Sequence, residues 1–487
     1  MTTTTTRPAA RPVVLSGVTV VDTRTGTLHA GRDVALRGGR ISAIIPTSTD
    51  GRTSEQRVDL HGKYVVPGLV ECHAHVFDVE DPSGAFDLML VNGITAFRQM
   101  SGTTALLRRR RQDRLPTSDR SPALLATPGA VLTPINAGSS KAAAKSVREQ
   151  HAAGADFIKI GLVAPDVFFA AQEEAKRLGI PILGHLPAGI DVRRASTGGM
   201  RSIEHLGPGV GVLAACSTDE AEIRAALAAR RPMKSLPLRV PFADKLVGPL
   251  LKRIITNPVL IARQADRALL RQAVSTFNEE RARALAAQFV ADGTWHCPTL
   301  IRERTTQLSD DPAYHHDPNL RFVSPDMRRA WGAASQKFDE LPEADRSVHR
   351  DAYAVQLALT RILAEVGVKL LAGSDAGGAV WEVPGFALHQ EFDQLAMAGI
   401  SALRVLQSAT LHAAEFFGTT ATTGTVEIGK DADLVVLDGD PVESVANLHR
   451  IAGVVRGGRW YARPELESIA GRLAERGQPV PARPACC

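Results

Sequence analysis

The chain of 487 residues contains one stretch that decides its fold, Val65-Val66-Pro67-Gly68-Leu69-Val70-Glu71-Cys72-His73-Ala74-His75. In this stretch an apolar run ends in two histidines that are separated by one residue. Residues two apart on a β-strand point to the same face of the sheet, so His73 and His75 would project together. Two imidazoles on one face can bind a single metal ion. The stretch therefore predicts a strand that ends at a metal site if further ligands follow in the chain.

The middle of the chain alternates short apolar runs with stretches of helical spacing, for example over 142–153, 167–178 and 354–366. The apolar runs predict eight strands, over 69–76, 95–99, 123–127, 156–160, 181–185, 202–205, 294–300 and 370–375. Strands that alternate with helices in this way predict an α/β fold of the (β/α)8 TIM-barrel type.

Both ends of the chain have a different pattern, with short alternating runs that are broken by Gly and Asp. Residues 13–66 and 420–462 are therefore predicted to form one small β-sandwich domain, which leaves 67–419 as the catalytic barrel. The interval 212–293 is too long for one helix and is rich in helix formers, so it predicts a helical insertion over the barrel mouth. Residues 1–12 are expected to be a disordered segment and 463–487 a C-terminal tail.

Composition excludes several classes of protein. Hydrophobic residues make up 44% and charged residues 22% of the chain, as in globular domains. The net charge is +5, and the arginine run 108–111 is expected to be a solvated helix face, so nucleic acid is not an expected partner. Five irregularly spaced cysteines favour a reducing, cytoplasmic location, with the terminal Cys486-Cys487 pair interpreted as incidental. Apolar runs stay below the ~20 residues of a membrane span, so no membrane contact is expected.

Four more residues suited to a metal site lie on or at the ends of predicted strands: Lys159, His185, His205 and Asp375. The carboxyl ends of barrel strands converge on one mouth, where active sites lie. A lysine inside the apolar run Phe157-Ile158-Lys159-Ile160 is unusual, because a buried ammonium group needs a partner. Together with His73 and His75 these residues predict one metal-binding cluster.

With these residues the chain resembles the imidazolonepropionase-like group of the amidohydrolase superfamily. The resemblance covers roughly residues 13–462, without much of the helical insertion. The matching segments are Pro67-Gly68-Leu69 through His75, Ala155 through Ile160, Gly184-His185, Glu204-His205, Gly373-Ser374-Asp375-Ala376-Gly377, Ser408-Ala409-Thr410 and Gly429-Lys430-Asp431-Ala432-Asp433-Leu434-Val435.

The resemblance implies a binuclear site, because Lys159 corresponds to a lysine that is carboxylated and bridges two metals in the branch of prolidases, Xaa-Arg carboxypeptidases and ochratoxin amidases. His73, His75 and Asp375 would then hold one ion, and His185 and His205 the other. Zinc fits these ligands best, with other divalent ions left open. A metal-bridging hydroxide would be the nucleophile, and Asp375 would transfer its proton to the leaving nitrogen.

The chain departs from the family in two places. Many relatives have a histidine after the third strand, whereas residues 131–138 here have none and Asn136 is expected near that position. Glu71 replaces an aspartate before the two histidines. Glu71 is expected to support the metal ligands from behind. Further candidates for substrate contact are Asn136, His296, His389 and, for a substrate carboxylate, Arg98, Arg302 and Arg304.

The sequence thus favours a metal-dependent hydrolase that cleaves an amide or peptide C–N bond of a small substrate, such as an N-acyl amino acid, a dipeptide or an ochratoxin-like amide. A hydrolase that opens a cyclic amide or imidazolone ring is the enzymatic alternative. A non-catalytic scaffold on the same fold is the alternative from another class. The expected partner is a small molecule, and a homo-oligomer is compatible with the sequence.

Overall fold

The structure is a computed structural model that describes residues 12–47, 56–187, 189–229 and 257–475. The predicted N-terminal segment lies almost wholly outside these residues. The middle of the predicted helical insertion, the end of the predicted tail and the pair Cys486-Cys487 also lie outside them.

The described strands are, in chain order, β1 Val13–Val21, β2 Leu28–Arg37, β3 Arg40–Pro46, β4 Gln56–Asp59, β5 Tyr64–Pro67, β6 Leu69–Ala74, β7 Ile94–Gln99, β8 Ala123–Ala126, β9 Ile158–Ile160, β10 Ile182–Gly184, β11 Met200–Glu204, β12 Trp295–Cys297, β13 Leu434–Leu437, β14 Ile451–Arg456 and β15 Arg459–Ala462.

The described α-helices are α1 Pro82–Val91, α2 Thr104–Arg111, α3 Ser140–Ala152, α4 Pro165–Leu178, α5 Val192–Thr197, α6 Leu213–Cys216, α7 Glu220–Ala228, α8 Gln264–Ser275, α9 Glu279–Asp292, α10 Leu300–Gln307, α11 Pro325–Asp339, α12 Glu343–Val366, α13 Phe386–Met397, α14 Ala402–Ser408, α15 Leu411–Phe417 and α16 Arg463–Glu475. None of them, within the ranges that the structure describes, is long and apolar enough to cross a bilayer.

Strands from both ends of the chain share one sheet. Its order is β15-β14-β13-β5-β1-β2-β3, and β4 pairs with β1. The junction between the two ends is the antiparallel pair β13–β5, in which Val435 lies opposite Val66 and Val436 opposite Val65. The apolar side chains of this sheet form their own buried cluster. The folding of the sheet into a sandwich stays a prediction.

Parallel strands make up the middle of the chain, in the orders β6-β7-β8 and β12-β11-β10-β9. Every residue of β6 and β7 is buried, as expected for parallel strands that are covered on both faces. The helices lie against these strands through the largest apolar cluster, which includes Phe97, Phe168, Phe289 and Phe392.

The parallel strands curl, because the segment after Leu370 links β12 to β6. The amide of Leu371 donates to the carbonyl of His296 over 2.9 Å, and the amide of Cys72 donates to the carbonyl of Ala372 over 2.9 Å. On the other side Leu132 forms a parallel bridge with Ile160 of β9. This sheet brings the strand ends toward one another, and the closed (β/α)8 barrel stays a prediction.

Three predicted elements differ from the structure. The strand predicted over 294–300 ends at Cys297, because α10 begins at Leu300. In place of a regular strand over 370–375, the structure has one isolated bridge at Leu370 and another just after the range, at Ala376. The segment predicted as a tail begins with α16, whose buried face, including Leu466 and Ile469, packs against α1 and β14. The burial of this face stabilises a helix in a region where the composition of the sequence predicted only a tail.

Candidate metal centre

Three histidines from two distant parts of the chain meet around the Asp375 carboxylate. Its Oδ1 atom lies 3.2 Å from His73 Nε2 and 3.0 Å from His75 Nε2. Its Oδ2 atom lies 4.0 Å from His205 Nε2. All four side chains are buried. One set of potential ligand atoms, from His73, His205 and Asp375, lies within 4.8 Å of one another.

His185 and Lys159 adjoin this group through the parallel pair β9–β10. The rings of His185 and His205 lie 5.1 Å apart. Lys159 has no exposed surface, and it lies opposite Leu183 in the register of the two strands. Burial lowers the pKa of His185 well below its ordinary value, and the charge of Lys159 lowers it further. The structure therefore brings all six sequence-predicted metal ligands into one buried region.

Two glycines permit this close packing. A Cβ atom at Gly373 would lie 2.6 Å from both His73 Cβ and Cys297 Sγ, so a larger residue would displace the segment that carries Asp375. Gly184 has a φ of +128°, and a Cβ there would lie 2.9 Å from Lys159 Cδ. A side chain at Gly373 would occupy space that His73 fills, and a side chain at Gly184 would occupy space that Lys159 fills. This steric requirement accounts for glycine in both sequence motifs.

The backbone at two of the predicted ligands adopts the left-handed conformation. The φ angle is 65° at Asp375 and 57° at His205. This conformation is uncommon for residues other than glycine, and such residues cluster at functional sites, where the surrounding structure holds them in place. At Asp375 the amide donates to the carbonyl of His73 over 2.8 Å, which fixes the carboxylate against β6.

A hydrogen bond at the far nitrogen orients each of three imidazoles. His73 Nδ1 lies 2.6 Å from Glu204 Oε2, and His75 Nδ1 lies 2.9 Å from Ser101 Oγ. His205 Nδ1 lies 2.5 Å from Thr299 Oγ1. Partners of this kind fix the ring orientation and the tautomer of metal-binding histidines, and they leave Nε2 directed at the ion.

Glu71 supports the site from behind, as predicted from its position. Its Oε1 atom accepts from the amides of His73 and Ser374 over 2.9 and 3.0 Å, and its Oε2 atom accepts from Ser374 Oγ over 2.6 Å. The carboxylate thus ties β6 to the segment that carries Asp375. Burial raises the pKa of Glu71 to about 7.

Of the three arginine candidates, Arg302 lies at the centre. Its Nε atom is 2.8 Å from Asp375 Oδ2. Arg98 is wholly buried and pairs with Glu204 at 3.0 Å, and Arg304 forms an ion pair with Asp311. Of these three arginines, only Arg302 therefore contacts the Asp375 carboxylate.

Sequence reasoning missed several buried carboxyl groups near the site. Burial raises the pKa of Glu382 well above its ordinary value, and the charge of Asp375 raises it further. Burial also raises the pKa of Glu391, whose Oε2 atom accepts from the amide of Ile301 over 2.7 Å. Glu204 had a detectable signal, because it directly precedes His205 at the end of β11. Glu382 follows Asp375 in a loop and had none.

Two substrate candidates are directed elsewhere. His296 is buried, and its ring contacts that of Phe289 on α9 with centroids 4.7 Å apart. Its strand neighbours Trp295 and Cys297 instead share an apolar cluster with β6 and β7. His389 Nε2 lies 2.9 Å from the carbonyl oxygen of Asn92, at the end of α1. Both histidines thus pack between elements, and neither joins the metal-ligand cluster.

The third candidate, Asn136, uses its side chain within its own turn. Its Oδ1 atom accepts from the amide of Thr133 over 2.9 Å, and its Nδ2 atom donates to the carbonyl of Val131 over 2.7 Å. Both polar atoms of the amide group are therefore engaged in holding the loop after β8. These two bonds fix the orientation of the side chain and leave one N–H and one oxygen lone pair for any further contact.

The donor set fits a divalent metal. His185 Nδ1 is buried and, within the ranges that the structure describes, makes no hydrogen bond. Burial lowers the pKa of His73 and places that of His205 well below its ordinary value, so these imidazoles are neutral, as ligands must be. Burial raises the pKa of Asp375, but hydrogen bonds with His73 and His75 help to hold it well below its ordinary value, which leaves an ionised carboxylate. Neutral nitrogens around one carboxylate are ligands that zinc prefers.

Replacing Glu204 by glutamine is expected to lower the free energy of unfolding by about 3 kcal/mol, because it leaves the buried Arg98 guanidinium without its charged partner. Glu204 lies 3.0 Å from Arg98 Nη2 and has no exposed surface. Urea unfolding followed by circular dichroism measures the change. Glu365→Gln, which removes an exposed partner of Arg283, is the matched control and should unfold like the wild type. Equal midpoints for Glu204→Gln and wild type would contradict the expectation.

Comparison with known proteins relates this geometry to a family. Residues 341–461, which include Asp375, match the Amidohydrolase family. The solved structure of bottromycin amidohydrolase is 25% identical, with a TM-score of 0.68, and the alignment covers 97% of this chain and 91% of that one. These matches support the amidohydrolase superfamily. The six clustered residues are thus found in a chain with the fold and a sequence signature of that superfamily.

Other similarities to the superfamily are more distant or shorter. A Xaa-Pro dipeptidase with methionine bound in its active site is 17% identical with a TM-score of 0.59, covering 93% of this chain and all of that one, which shows the fold alone. Adenine deaminase from Desulfatibacillum aliphaticivorans is 34% identical over 64 residues, 13% of this chain. That match spans only 10% of the deaminase. These matches therefore do not identify the reaction of this protein.

Proposed function

We propose that the protein is a metal-dependent hydrolase that cleaves an amide or peptide C–N bond of a small substrate. The observation that supports it most is the convergence on one carboxylate. Asp375 Oδ1 lies 3.0 and 3.2 Å from the Nε2 atoms of His75 and His73, and the other histidines and a buried lysine lie beside them. Such a cluster has the composition of a metal-dependent hydrolytic site.

The proposed roles follow the ligand geometry. His73, His75 and Asp375 would hold one divalent ion and His185 and His205 a second, with Lys159 carboxylated on its Nζ atom between them. Bound zinc would lower the pKa of water to near neutrality and polarise the scissile carbonyl group. Asp375 is then placed to accept a proton at Oδ2 and to donate it to the leaving nitrogen. Arg302, 2.8 Å from that oxygen, keeps the carboxylate ionised before the transfer.

The proposed substrate is an N-acyl amino acid, a dipeptide or an ochratoxin-like amide, which would place the protein in the prolidase-like binuclear branch. Opening of a cyclic amide remains the competing reaction, and a substrate panel separates the two. Hydrolysis of hydantoins or imidazolones, together with no hydrolysis of dipeptides, would favour ring opening. We further propose a cytoplasmic location, in line with the free buried thiols of Cys72, Cys216 and Cys297.

Removing bound metal is expected to abolish hydrolysis, and Zn²⁺ is expected to restore it. The protein is dialysed against a chelator, assayed on a panel of dipeptides and N-acyl amino acids, and assayed again after addition of Zn²⁺, Mn²⁺ or Co²⁺. Elemental analysis gives the metal content in parallel, with about two ions per chain expected. Full activity in a chelated protein that contains no metal would overturn the proposal. A metal-free protein that stays inert with every ion and every substrate would favour the non-catalytic scaffold.

A further inference from the structure

A cavity of about 450 Å³ lies beside the metal-ligand cluster, within the roughly 300–1,000 Å³ range of small-molecule sites. Its walls include Leu162, after β9, and Val210, after β11. These are the loops that follow Lys159 and His205. Leu227 of α7 and Leu269 and Leu270 of α8 supply further apolar wall. The cavity is therefore built mainly from side chains that favour an apolar ligand.

Arg302 joins the cavity to the proposed reaction site. Its side chain lines the cavity, and its Nε atom lies 2.8 Å from Asp375 Oδ2. A molecule that fills the cavity thus contacts the side chain that touches the reacting carboxylate. The charged groups of the wall have partners already. Glu303 Oε2 accepts from Gln307 over 2.7 Å, and Arg267 pairs with Asp345 at 2.9 Å.

His349 on α12 is the polar wall group that points to a ligand. It is 3% exposed and lines the cavity, and neither ring nitrogen makes a hydrogen bond to any residue that the structure describes. Burial lowers the pKa of His349 to about 4, so the ring is neutral near pH 7. A neutral imidazole offers one N–H donor and one acceptor nitrogen, which match the carbonyl and the N–H of a peptide group.

We infer that this cavity selects peptide-like amides with a bulky apolar side chain, and that His349 hydrogen-bonds their peptide group. This inference rests on the proposed function for the identity of the scissile bond, but the binding that it describes does not depend on catalysis. His349 is thereby a specificity residue, and it takes no part in the bond cleavage. A small or charged amide would leave the apolar wall unfilled.

Titration calorimetry on the full-length, metal-free protein tests the inference without turnover. The probes are N-acetyl-L-phenylalaninamide and N-acetylglycinamide, which share their amide groups and differ in the side chain. We expect the phenylalanine probe to bind at least about tenfold more tightly, since filling an apolar pocket discriminates by this order. Ala262→Phe, at the cavity wall, should abolish that preference. Ala265→Phe, exposed on the neighbouring helix, should preserve it.

Variants of His349 test the polar contact. His349→Phe keeps a ring beside Phe338, whose centroid lies 5.9 Å away, and should weaken the phenylalanine probe by about tenfold, since it leaves the probe's peptide group unpaired. His349→Gln retains a donor and an acceptor and should bind within a few-fold of wild type. Circular dichroism verifies folding.

The outcomes separate this inference from the proposed function. Equal binding of both probes, or equal losses in Ala262→Phe and Ala265→Phe, would overturn the cavity assignment even if the zinc-loaded protein hydrolyses amides. Unchanged binding by His349→Phe would overturn the role of His349. Selective binding by a zinc-loaded protein that hydrolyses no amide would leave the cavity assignment intact and contradict the proposed function instead.

Discussion

An Asp375→Asn variant is expected to lose at least about a thousandfold in kcat/KM, because the carboxylate is proposed both to bind an ion and to transfer a proton. The asparagine side chain has nearly the same shape, so it would preserve the packing against His73 and His75. It has no ionisable oxygen at the position that Arg302 faces across 2.8 Å. The measurement is kcat/KM with the best substrate of the panel, together with the zinc content per chain.

The two readouts divide the roles of Asp375. Loss of activity with zinc retained would indicate proton transfer as its main contribution, whereas loss of both would indicate metal binding. Asp393→Asn is the matched control, since Asp393 is an exposed carboxylate that pairs with His449 at 2.9 Å. An Asp375→Asn variant that kept more than a tenth of wild-type kcat/KM would rule out a catalytic role for this residue.

The clustering of the predicted metal ligands could be expected from the sequence because these residues follow a rule of position. Residues at the carboxyl ends of parallel strands converge whatever lies between them in sequence, so His73, His185 and His205 could be grouped from strand patterns alone. Asp375 could be grouped with them because an apolar run precedes it, even though the bridges around that run are isolated ones, at Leu370 and Ala376. Local pattern was sufficient here because the strand pairing supplies the distant contacts.

The hydrogen-bond partners of the predicted ligands could not be predicted in the same way. The partners Ser101 and Thr299 belong to loops whose course depends on packing across the whole sheet. His296 stays a predicted substrate contact, although a strand that directs Trp295 and Cys297 to one cluster directs His296 to the opposite face, against Phe289. Asn136 likewise stays a predicted contact, and its short amide side chain bonds its own turn.

The buried position of Lys159 leads to the second large prediction. A positive charge there lowers the pKa of both His73 and His185, and it would equally repel a dication bound to them. Carboxylation of the amine by CO2 reverses that charge and supplies two oxygen ligands. We therefore expect Lys159→Ala to bind no more than about one zinc ion per chain and to lose at least about a hundredfold in kcat/KM.

Reconstitution with and without bicarbonate tests the modification itself. Metal-free wild-type protein should take up about two zinc ions per chain in bicarbonate-containing buffer and fewer in buffer freed of CO2. Lys159→Ala should be indifferent to bicarbonate, because it has no amine to carboxylate at this site. Lys145→Ala, which removes an exposed lysine that pairs with Glu149, should behave as wild type in both buffers. If Lys159→Ala bound two zinc ions and kept full turnover, the proposed carboxylated-lysine bridge would be refuted. The proposed metal centre would then consist of the ligands around Asp375.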